Sequence, residues 1–233
     1  MGKNALTGIK ACVFDAYGTL FDVSSVARGA QNELGTTWQA LSDLWRMKQL
    51  QYTWLRGLAG NHADFWQVTR DALDFAMATI GIDDNCLRDR LMSLYLGISA
   101  YPEVEGTLRR LKASGVRLSI LSNGTPEMLS SAVDNANLGG LFDAVLSVEE
   151  VGVFKPHPSV YQLAVDRLAV APEQICFLSS NGWDAFSAKA FGFHVLWCNR
   201  FAQVREWIPE MPDGEIHELS ELPDWLTVLK VEA

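Results

Sequence analysis

The sequence predicts a doubly wound α/β fold, in which helices cover both faces of a parallel sheet and a block of helices is inserted after the first strand. Two observations carry this prediction. Short apolar segments alternate with amphipathic helices from about residue 101 onward, and residues 23–97 show helical periodicity with almost no strand signal. At 233 residues the chain is long enough to bury a substantial core.

Four apolar segments rich in β-branched or aromatic residues have the length and composition of buried strands. They are Ile9–Phe14, Val116–Leu121, Ile175–Ser179 and Phe193–Cys198, and Val145–Val148 is a candidate fifth strand. Parallel strands that are covered on both faces are continuous hydrophobic runs without polar alternation, as these are. We therefore expect a parallel sheet.

Amphipathic helical stretches separate the later strands: Pro102–Ala113, Pro126–Asn137, Pro158–Leu168 and Trp183–Phe191. Three of them begin with a proline, which suits the first helical turn. Strand–helix–strand units of this kind close with right-handed crossovers. They predict a Rossmann-like core made of residues 1–22 and 98–233.

The intervening residues 23–97 contain no proline, and apolar or long side chains recur at helical spacing from Leu41 through Trp45 to Tyr52. We expect this segment to form an α-helical cap subdomain. Inserted after the first strand, it would lie over the carboxyl ends of the strands, where open α/β sheets bind ligands.

Composition excludes several functional classes. The 19 Lys and Arg residues against 28 Asp and Glu residues give a net charge of −9, whereas a nucleic-acid partner requires a basic face. The four cysteines have no paired spacing typical of a zinc or redox site, so buried free thiols are expected. No apolar leader or membrane-spanning run is visible. The expectation is a cytoplasmic protein without a membrane partner.

Polar clusters follow the ends of the predicted strands. Asp15 stands where the first strand opens into a glycine-containing turn, either as a functional carboxylate or as a turn cap. The turn at Ser122-Asn123-Gly124 offers backbone N–H groups to an anion, and equally fits an ordinary strand-to-helix turn. Lys155 is flanked by Phe154 and Pro156, which favours a fixed cation over a solvated one.

The last cluster runs from Ser179 to Asp184 and follows the Ile175–Ser179 strand. Its structural alternative is a helix N-cap by Ser180 or Asn181, with Trp183 in the core. Four polar clusters at one edge of a sheet are hard to explain as four separate caps. Together they indicate a site.

The motifs resemble those of the haloacid dehalogenase superfamily. They are Phe14-Asp15-Ala16-Tyr17-Gly18-Thr19-Leu20, Ser122-Asn123-Gly124, Lys155-Pro156 and Ser179-Ser180-Asn181-Gly182-Trp183-Asp184. Within that superfamily the chain is most similar to the L-2-haloacid dehalogenases, since the segment Leu44–Arg56 also resembles their cap. The similarity spans nearly the whole chain.

Two positions separate this chain from the phosphatases of the superfamily. Those enzymes carry a second acid two residues after the nucleophile, where this chain has Tyr17, and another at the position of Ser180. Mg²⁺ requires several oxygen ligands, so these replacements leave a poor metal site. We expect neither a metal nor another cofactor.

The resemblance implies that Asp15 attacks C2 of a short L-2-haloalkanoate with inversion, forming an aspartyl ester that water then hydrolyses at its carbonyl carbon. It implies that Thr19 and Lys155 stabilise the oxyanion of the second step. Asp184 would orient Lys155 or activate the water, and the residues leave both roles open.

The remaining roles concern binding. The resemblance implies that Ser122 and Asn123 hold the substrate carboxylate, and that Arg46 and Asn181 bind the halogen and the released halide. Other positions implied by the resemblance form an apolar pocket wall or support the network: Tyr17, Leu50, Phe65, Trp183, Tyr161 and Ser179. A homodimer is implied as well.

Two residues depart from the family pattern. Met47 stands where a polar residue is frequent, which predicts an altered pocket around the alkyl chain, and His157 follows Lys155-Pro156 where an acidic or polar residue is expected, which predicts a surface-loop histidine. The alternatives to a dehalogenase are a metal-dependent phosphatase with atypical motifs and a non-catalytic binding module.

Overall fold

A computed structural model of the protein, which describes residues 5–227, has the predicted α/β fold. The strands are β1 (Leu6–Thr7), β2 (Ala11–Phe14), β3 (Arg117–Ser122), β4 (Ala144–Ser147), β5 (Ile175–Ser179), β6 (His194–Cys198), β7 (Gly214–Ile216) and β8 (Leu226–Thr227). The main sheet has six parallel strands in the order β4-β3-β2-β5-β6-β7, and β1 pairs with β8 in a separate parallel ribbon.

Four predicted strands and the candidate fifth strand are confirmed to within one or two residues at each end. The sixth strand of the main sheet, β7, was not predicted. It has three residues and follows an irregular segment, and only Ile216 of the three is buried. A strand this short leaves no apolar run in the sequence.

The helices are α1 (Ser24–Gly29), α2 (Gln31–Leu34), α3 (Trp38–Leu58), α4 (Phe65–Ile80), α5 (Asn85–Leu96), α6 (Val104–Ala113), α7 (Pro126–Asn135), α8 (Pro158–Leu168) and α9 (Gly182–Phe191). All four predicted helices of the core are present, although α6 begins two residues later than predicted. Single 3₁₀ segments lie at Gly35–Thr37, Val148–Glu150, Pro172–Gln174 and Leu219–Trp225.

Helices α1–α5 follow one another without a strand between Ser24 and Leu96. The two longest, α3 and α4, pack against each other through buried apolar side chains such as Leu41 and Leu73. Local chemistry sets their limits: the Asp64 carboxylate accepts a hydrogen bond from the backbone N–H of Gln67 at the start of α4, and Gly81 ends that helix in the left-handed conformation.

The strand order places the candidate site. The chain passes from β2 to β3 and β4 on one side and returns to β5 on the other side, so the carboxyl ends of β2 and β5 form a switch point of the sheet. Phe14 is level with Ile120 of β3 and with Leu178 of β5. Asp15 therefore emerges between the turns that follow Ser122 and Ser179.

Among residues 5–227, no helix combines the length and the apolar composition that crossing a lipid bilayer requires. The thiols of Cys12, Cys176 and Cys198 are free and buried, as expected. The expectation is wrong for Cys86, which is exposed because it lies in the first turn of α5 on the outer side of the helix.

Candidate active site

The carboxylate of Asp15 is held by side chains from three separate parts of the chain. Its Oδ2 accepts hydrogen bonds from Thr19 Oγ1 at 3.0 Å and from Asn181 Nδ2 at 2.9 Å, and its Oδ1 accepts one from Lys155 Nζ at 3.1 Å. Asp15 is 6% exposed. A turn cap would accept a hydrogen bond from a backbone N–H, and no backbone N–H in the described residues donates to this carboxylate. The turn-cap alternative is therefore wrong.

Thr19 connects the turn after β2 with the turn after β5. Its hydroxyl donates to Asp15 and accepts a hydrogen bond from the backbone N–H of Ser180 at 2.8 Å. The carbonyl oxygen of Thr19 accepts a hydrogen bond from Arg200 Nη2 at 2.8 Å. Thr19 is fully buried, so its rotamer and its backbone are both fixed.

Arg200 was missed at the level of sequence. Besides the bond to Thr19, its guanidinium forms an ion pair with Glu103 at 2.6 Å and lies 3.9 Å from the ring centroid of Tyr101. The side chain is 7% exposed. Arg200 follows β6 in a segment without motif or periodicity, and no spacing rule connects it with Thr19.

Lys155 lies between two carboxylates. Its Nζ donates to Asp15 and to Asp184 Oδ2 at 2.9 Å, and its backbone N–H donates to Asn123 Oδ1 at 3.0 Å. Burial alone lowers the pKa of this ammonium, but the charges of Asp15 and Asp184 outweigh burial and the pKa is raised above 10.5. As the sequence suggested, Lys155 is buried and held in place rather than solvated.

Asp184 completes this buried row. It is fully buried in the first turn of α9, and its second oxygen accepts a hydrogen bond from the Tyr161 hydroxyl at 2.8 Å. Burial and the charge of Asp15 raise the pKa of Asp184, while Lys155 opposes the shift. Each oxygen of Asp184 thus has a donor, one from Lys155 and one from Tyr161.

The residue before α9, Asn181, does not cap the helix with its side chain. Its Nδ2 donates to Asp15 and to the carbonyl of Tyr17, and its Oδ1 accepts a hydrogen bond from Arg46 Nη2 at 3.1 Å. The Ser180 hydroxyl accepts no hydrogen bond from a backbone N–H of α9 in the described part of the chain, and the Ser179 hydroxyl accepts one from the backbone N–H of Asn181. The N-cap alternative is therefore wrong for both candidates.

Polar side chains also shape the turn after β3. The Ser122 hydroxyl accepts a hydrogen bond from the backbone N–H of Gly124 at 3.1 Å, and Thr125 caps α7. Because Asn123 Oδ1 accepts a hydrogen bond from the backbone N–H of Lys155, this turn helps to fix the position of the lysine. The side chains of this segment form the turn. The anion-site alternative concerns its backbone N–H groups, of which that of Gly124 is bonded to Ser122.

Arg46 reaches the site from α3. Its Nη2 donates to the carbonyl of Tyr17 at 3.2 Å and to Asn181, and its Nη1 donates to Gln49 Oε1 at 2.7 Å. Gln49 is 1% exposed, and its amide group donates to Thr69 and Tyr95. Gln49 was not predicted as a site residue, although its spacing of three from Arg46 places both on one helix face.

A small cavity lies in front of Asp15. It has a volume of about 10 Å³ and is lined by Asp15, Tyr17, Arg46, Leu50, Phe65, Ser122, Asn123, Asn181 and Trp183. Each lining residue was predicted from the sequence. The remaining predicted residues lie behind the carboxylate or beside it: Thr19, Lys155, Tyr161, Ser179 and Asp184. Cavities of this size hold about one water molecule.

The cavity wall is largely aromatic. The ring of Tyr17 lies 5.9 Å from that of Phe65 and 5.3 Å from that of Tyr95, measured between centroids. Burial raises the pKa of the Tyr17 hydroxyl, which has no hydrogen-bond partner in the described part of the chain. Tyr17 thus contributes an apolar surface and a backbone acceptor.

Two sequence departures have different outcomes. Met47 points to solvent with 57% of its surface exposed. Arg46 and Leu50 line the cavity, and Met47 lies on another face of α3. The prediction that Met47 alters the pocket is therefore wrong. His157 is exposed, as predicted, and its Nδ1 accepts the backbone N–H of Ser159 at the start of α8.

Within residues 5–227, no group of three or more His, Cys, Asp or Glu side chains could hold a metal ion. The charges at the site are two carboxylates, Asp15 and Asp184, and two cations, Lys155 and Arg46. Opposite charges in a water-poor site interact strongly. The arrangement can hold an ionised nucleophile beside donors for a second anion.

Comparison with known proteins gives a consistent result. A family profile described as haloacid dehalogenase-like hydrolase matches residues 9–192. The (S)-2-haloacid dehalogenase 1 of Pseudomonas sp. (strain CBS-3) is 46% identical over 219 residues, which cover 94% of this chain and 96% of the relative.

Two solved structures are similar over most of both chains. A dehalogenase with an intermediate complex has 44% identity and a TM-score of 0.93, covering 94% of this chain and 98% of the other. The L-2-haloacid dehalogenase of Xanthobacter autotrophicus with chloropropionic acid covalently bound has 39% identity and a TM-score of 0.87, covering 93% and 97%.

Proposed function

Because the chain belongs to the haloacid dehalogenase-like hydrolase family, we propose that it hydrolyses short (S)-2-haloalkanoates to (R)-2-hydroxyalkanoates and halide. One observation carries the proposal: the buried carboxylate of Asp15 faces a small, partly apolar cavity with Lys155 and Asn181 bound to its oxygens. Relatives named (S)-2-haloacid dehalogenase share 40–46% identity with it.

In the first step, Asp15 attacks C2 from the side opposite the halogen. The new C–O bond forms as the carbon–halogen bond breaks, the halide leaves with the bonding electrons, and the configuration at C2 inverts. A carboxylate is a weak nucleophile in water, so its alignment by fixed donors and the exclusion of water supply the rate. Three side-chain hydrogen bonds to Asp15 support this step.

Halide release requires donors for the developing anion. Arg46 and Asn181 both line the cavity and are hydrogen-bonded to each other, so we assign this role to their N–H groups. We assign the substrate carboxylate to the turn at Ser122 and Asn123, because both residues line the cavity in front of Asp15. The methyl or short alkyl group contacts Leu50, Phe65 and Trp183.

In the second step, water adds to the carbonyl carbon of the Asp15 ester and the acyl C–O bond breaks. The hydroxyl oxygen of the product therefore comes from Asp15, and one oxygen of the regenerated carboxylate comes from water. The tetrahedral oxyanion needs positioned donors, and Lys155 and Thr19 are within hydrogen-bond distance of the carboxylate. Both oxygens of Asp184 are occupied, which supports the role of orienting Lys155.

The cavity of about 10 Å³ is too small for a haloacid as it stands. Arg46 and Asn181 also line a neighbouring cavity of about 350 Å³. Substrate binding therefore requires side chains that line the cavity, Arg46 among them, to make room. We assign residues 23–97 to the cap subdomain, because helices α1–α5 follow one another there without a strand, and residues 1–22 and 98–233 to the core.

The proposal also covers the oligomeric state of the protein and its location in the cell. We propose a homodimer, supported by exposed apolar side chains such as Phe201, Val204 and Trp207. A cytoplasmic location is supported by the free thiols of Cys12, Cys176 and Cys198, because free cysteines persist in reducing compartments. Size-exclusion chromatography with light scattering and cell fractionation measure these two properties.

The activity is tested by measuring halide release from each enantiomer of 2-chloropropionate with EDTA present. The (S) enantiomer should release chloride and yield (R)-lactate, while the (R) enantiomer should not react. Loss of activity in EDTA, with turnover of phosphate esters after Mg²⁺ is added, would instead identify a phosphatase. A failure of every substrate to react would identify a non-catalytic module.

A further inference from the structure

A second and larger cavity lies beside the candidate active site. It has a volume of about 490 Å³, and its wall includes Trp54 and Leu58 of α3, Val153 and Phe154 of the loop before α8, Trp183 of α9, and Ile208. Most of the side chains that line it are apolar. Its polar side chains are Thr53, Lys155, His157 and Ser187, and the Lys155 ammonium is bound to Asp15 and Asp184.

One layer of side chains separates the two cavities. Trp183 lines both of them. Leu50 of the small cavity stands one helical turn before Trp54 of the large one, a rise of about 6 Å along α3. The rings of Phe65, in the small cavity, and Phe154, in the large one, are 6.2 Å apart between centroids. The large cavity is therefore continuous with the apolar wall that faces Asp15.

The two tryptophans of this layer are held by packing alone. Trp54 and Trp183 meet edge to face with centroids 5.4 Å apart, and neither indole N–H has a hydrogen-bond partner in the described residues. A side chain with no polar partner can change rotamer at the cost of its packing contacts only. Rotation of Trp183 or Trp54 would join the two cavities.

We propose that the large cavity is a subsite for the hydrocarbon tail of longer 2-haloalkanoates, which rests on the proposed function. The carboxylate and C2 of such a substrate would occupy the small cavity once its lining side chains make room, and the tail would pass Trp183 into the space between Phe154 and Trp54. An unbranched alkyl chain fits this lining, because each methylene moved from water into an apolar wall favours binding by up to about fourfold. The substrate class then extends beyond short haloacids.

Gly57 offers a variant that fills the large cavity and leaves the small one unchanged. It lies in the last turn of α3 and lines the large cavity, and a Cβ added there would lie 3.8 Å from Val153 Cγ2, an ordinary contact. Gly57→Leu would therefore occupy the tail space, and Gly57→Ala is the matched control, because both variants remove the glycine from the helix.

The experiment compares kcat/KM for (S)-2-bromopropionate and (S)-2-bromooctanoate in the native protein and both variants. We expect the native protein to use 2-bromooctanoate at least as well as 2-bromopropionate. Gly57→Leu should lower kcat/KM for the longer substrate by about tenfold or more, while the shorter substrate changes by less than about twofold in either variant.

The possible failures are distinguishable. If 2-bromopropionate is turned over and 2-bromooctanoate is not, or if both variants lose the longer substrate equally, the tail subsite is overturned and the proposed function stands. If neither substrate reacts, the proposed function fails. Calorimetry with octanoate then decides whether the large cavity binds a hydrocarbon tail. Octanoate binding that Gly57→Leu weakens and Gly57→Ala retains would support the subsite. An altered oligomeric mass of Gly57→Leu, with no octanoate binding, would make this face an interface between copies and overturn the subsite.

Discussion

The ammonium of Lys155 donates to Oδ1 of Asp15 at 3.1 Å, although 140 residues separate the two in the chain. The same ammonium donates to Asp184. The proposed nucleophile and the proposed oxyanion donor are thus in contact in the folded protein. Pre-organisation of this kind lowers the barrier of a reaction that develops negative charge at a fixed position.

Replacing Lys155 with methionine should therefore reduce kcat/KM by about a thousandfold, because one oxyanion donor contributes about a hundred- to a thousandfold and the nucleophile loses its orientation as well. The measurement is initial-rate halide release from (S)-2-chloropropionate. Lys189→Met is the matched control, since Lys189 lies on α9 and pairs with Asp213 away from the site. Retention of a tenth of the native activity in Lys155→Met would contradict the assignment.

The pH dependence follows from the raised pKa of Lys155. The charges of Asp15 and Asp184 hold the pKa of the buried ammonium above 10.5. The charged lysine contributes its full stabilisation of the folded state below the unfolded-state pKa of about 10.4. This contribution is lost as the pH rises through the higher pKa of the folded state. Activity should thus show no alkaline decline due to Lys155 between pH 7 and about pH 10.5.

The measurement is kcat/KM against pH, with circular dichroism at each pH to verify folding. A decline of kcat/KM with a midpoint near pH 9 would contradict a raised pKa at Lys155, provided that the protein stays folded and that added salt does not move the midpoint.

Gln49 should affect the position of Arg46. Its Oε1 accepts from Arg46 Nη1, and its amide group is fixed by Thr69 and Tyr95. Gln49→Leu keeps the volume and removes this acceptor, so we expect kcat/KM to fall by about tenfold, chiefly through a higher KM. Gln51→Leu is the control, because Gln51 is exposed and contacts Lys48. Equal kinetics in both variants would show that Arg46 does not depend on Gln49.

Arg200 should act on Asp15 through Thr19. Removing the guanidinium in Arg200→Ala leaves the buried carbonyl of Thr19 without its donor. A small shift of Thr19 then misaligns the carboxylate, and we expect kcat to fall about tenfold or more with little change in KM. Arg200→Lys should restore part of the loss.

The control for Arg200 is Arg205→Ala, since Arg205 is exposed and contacts Trp207 in the same irregular segment. If Arg200→Ala lowers the melting temperature while the folded enzyme keeps the native kcat, Arg200 has a structural role alone.

Much of the site could be predicted because its residues follow strands. Asp15, Ser122 and Ser179 each stand at the end of an apolar run, and strand polarity alone brings such positions to one edge of a parallel sheet. Strand β7 and Arg200, which donates to the carbonyl of Thr19, could not be found in this way. Their placement depends on the irregular segment after β6, where neither periodicity nor a motif restricts the path.

The error at Met47 has a similar cause. The sequence places Met47 between Arg46 and Leu50 of the site, but neighbouring residues of a helix point about 100° apart. Which face of α3 covers the sheet edge depends on packing against α4. The same rotation explains why Gln49, three residues from Arg46, joins the site although it was not among the predicted site residues.

The central claim is the ester on Asp15, and single-turnover hydrolysis of (S)-2-chloropropionate in ¹⁸O-water tests it most directly. With enzyme in excess over substrate, mass spectrometry of the peptide containing Asp15 should show one ¹⁸O in the carboxylate, and the lactate should carry none. Label in the lactate, with none in Asp15, would mean that water attacks C2 directly and would contradict the covalent mechanism.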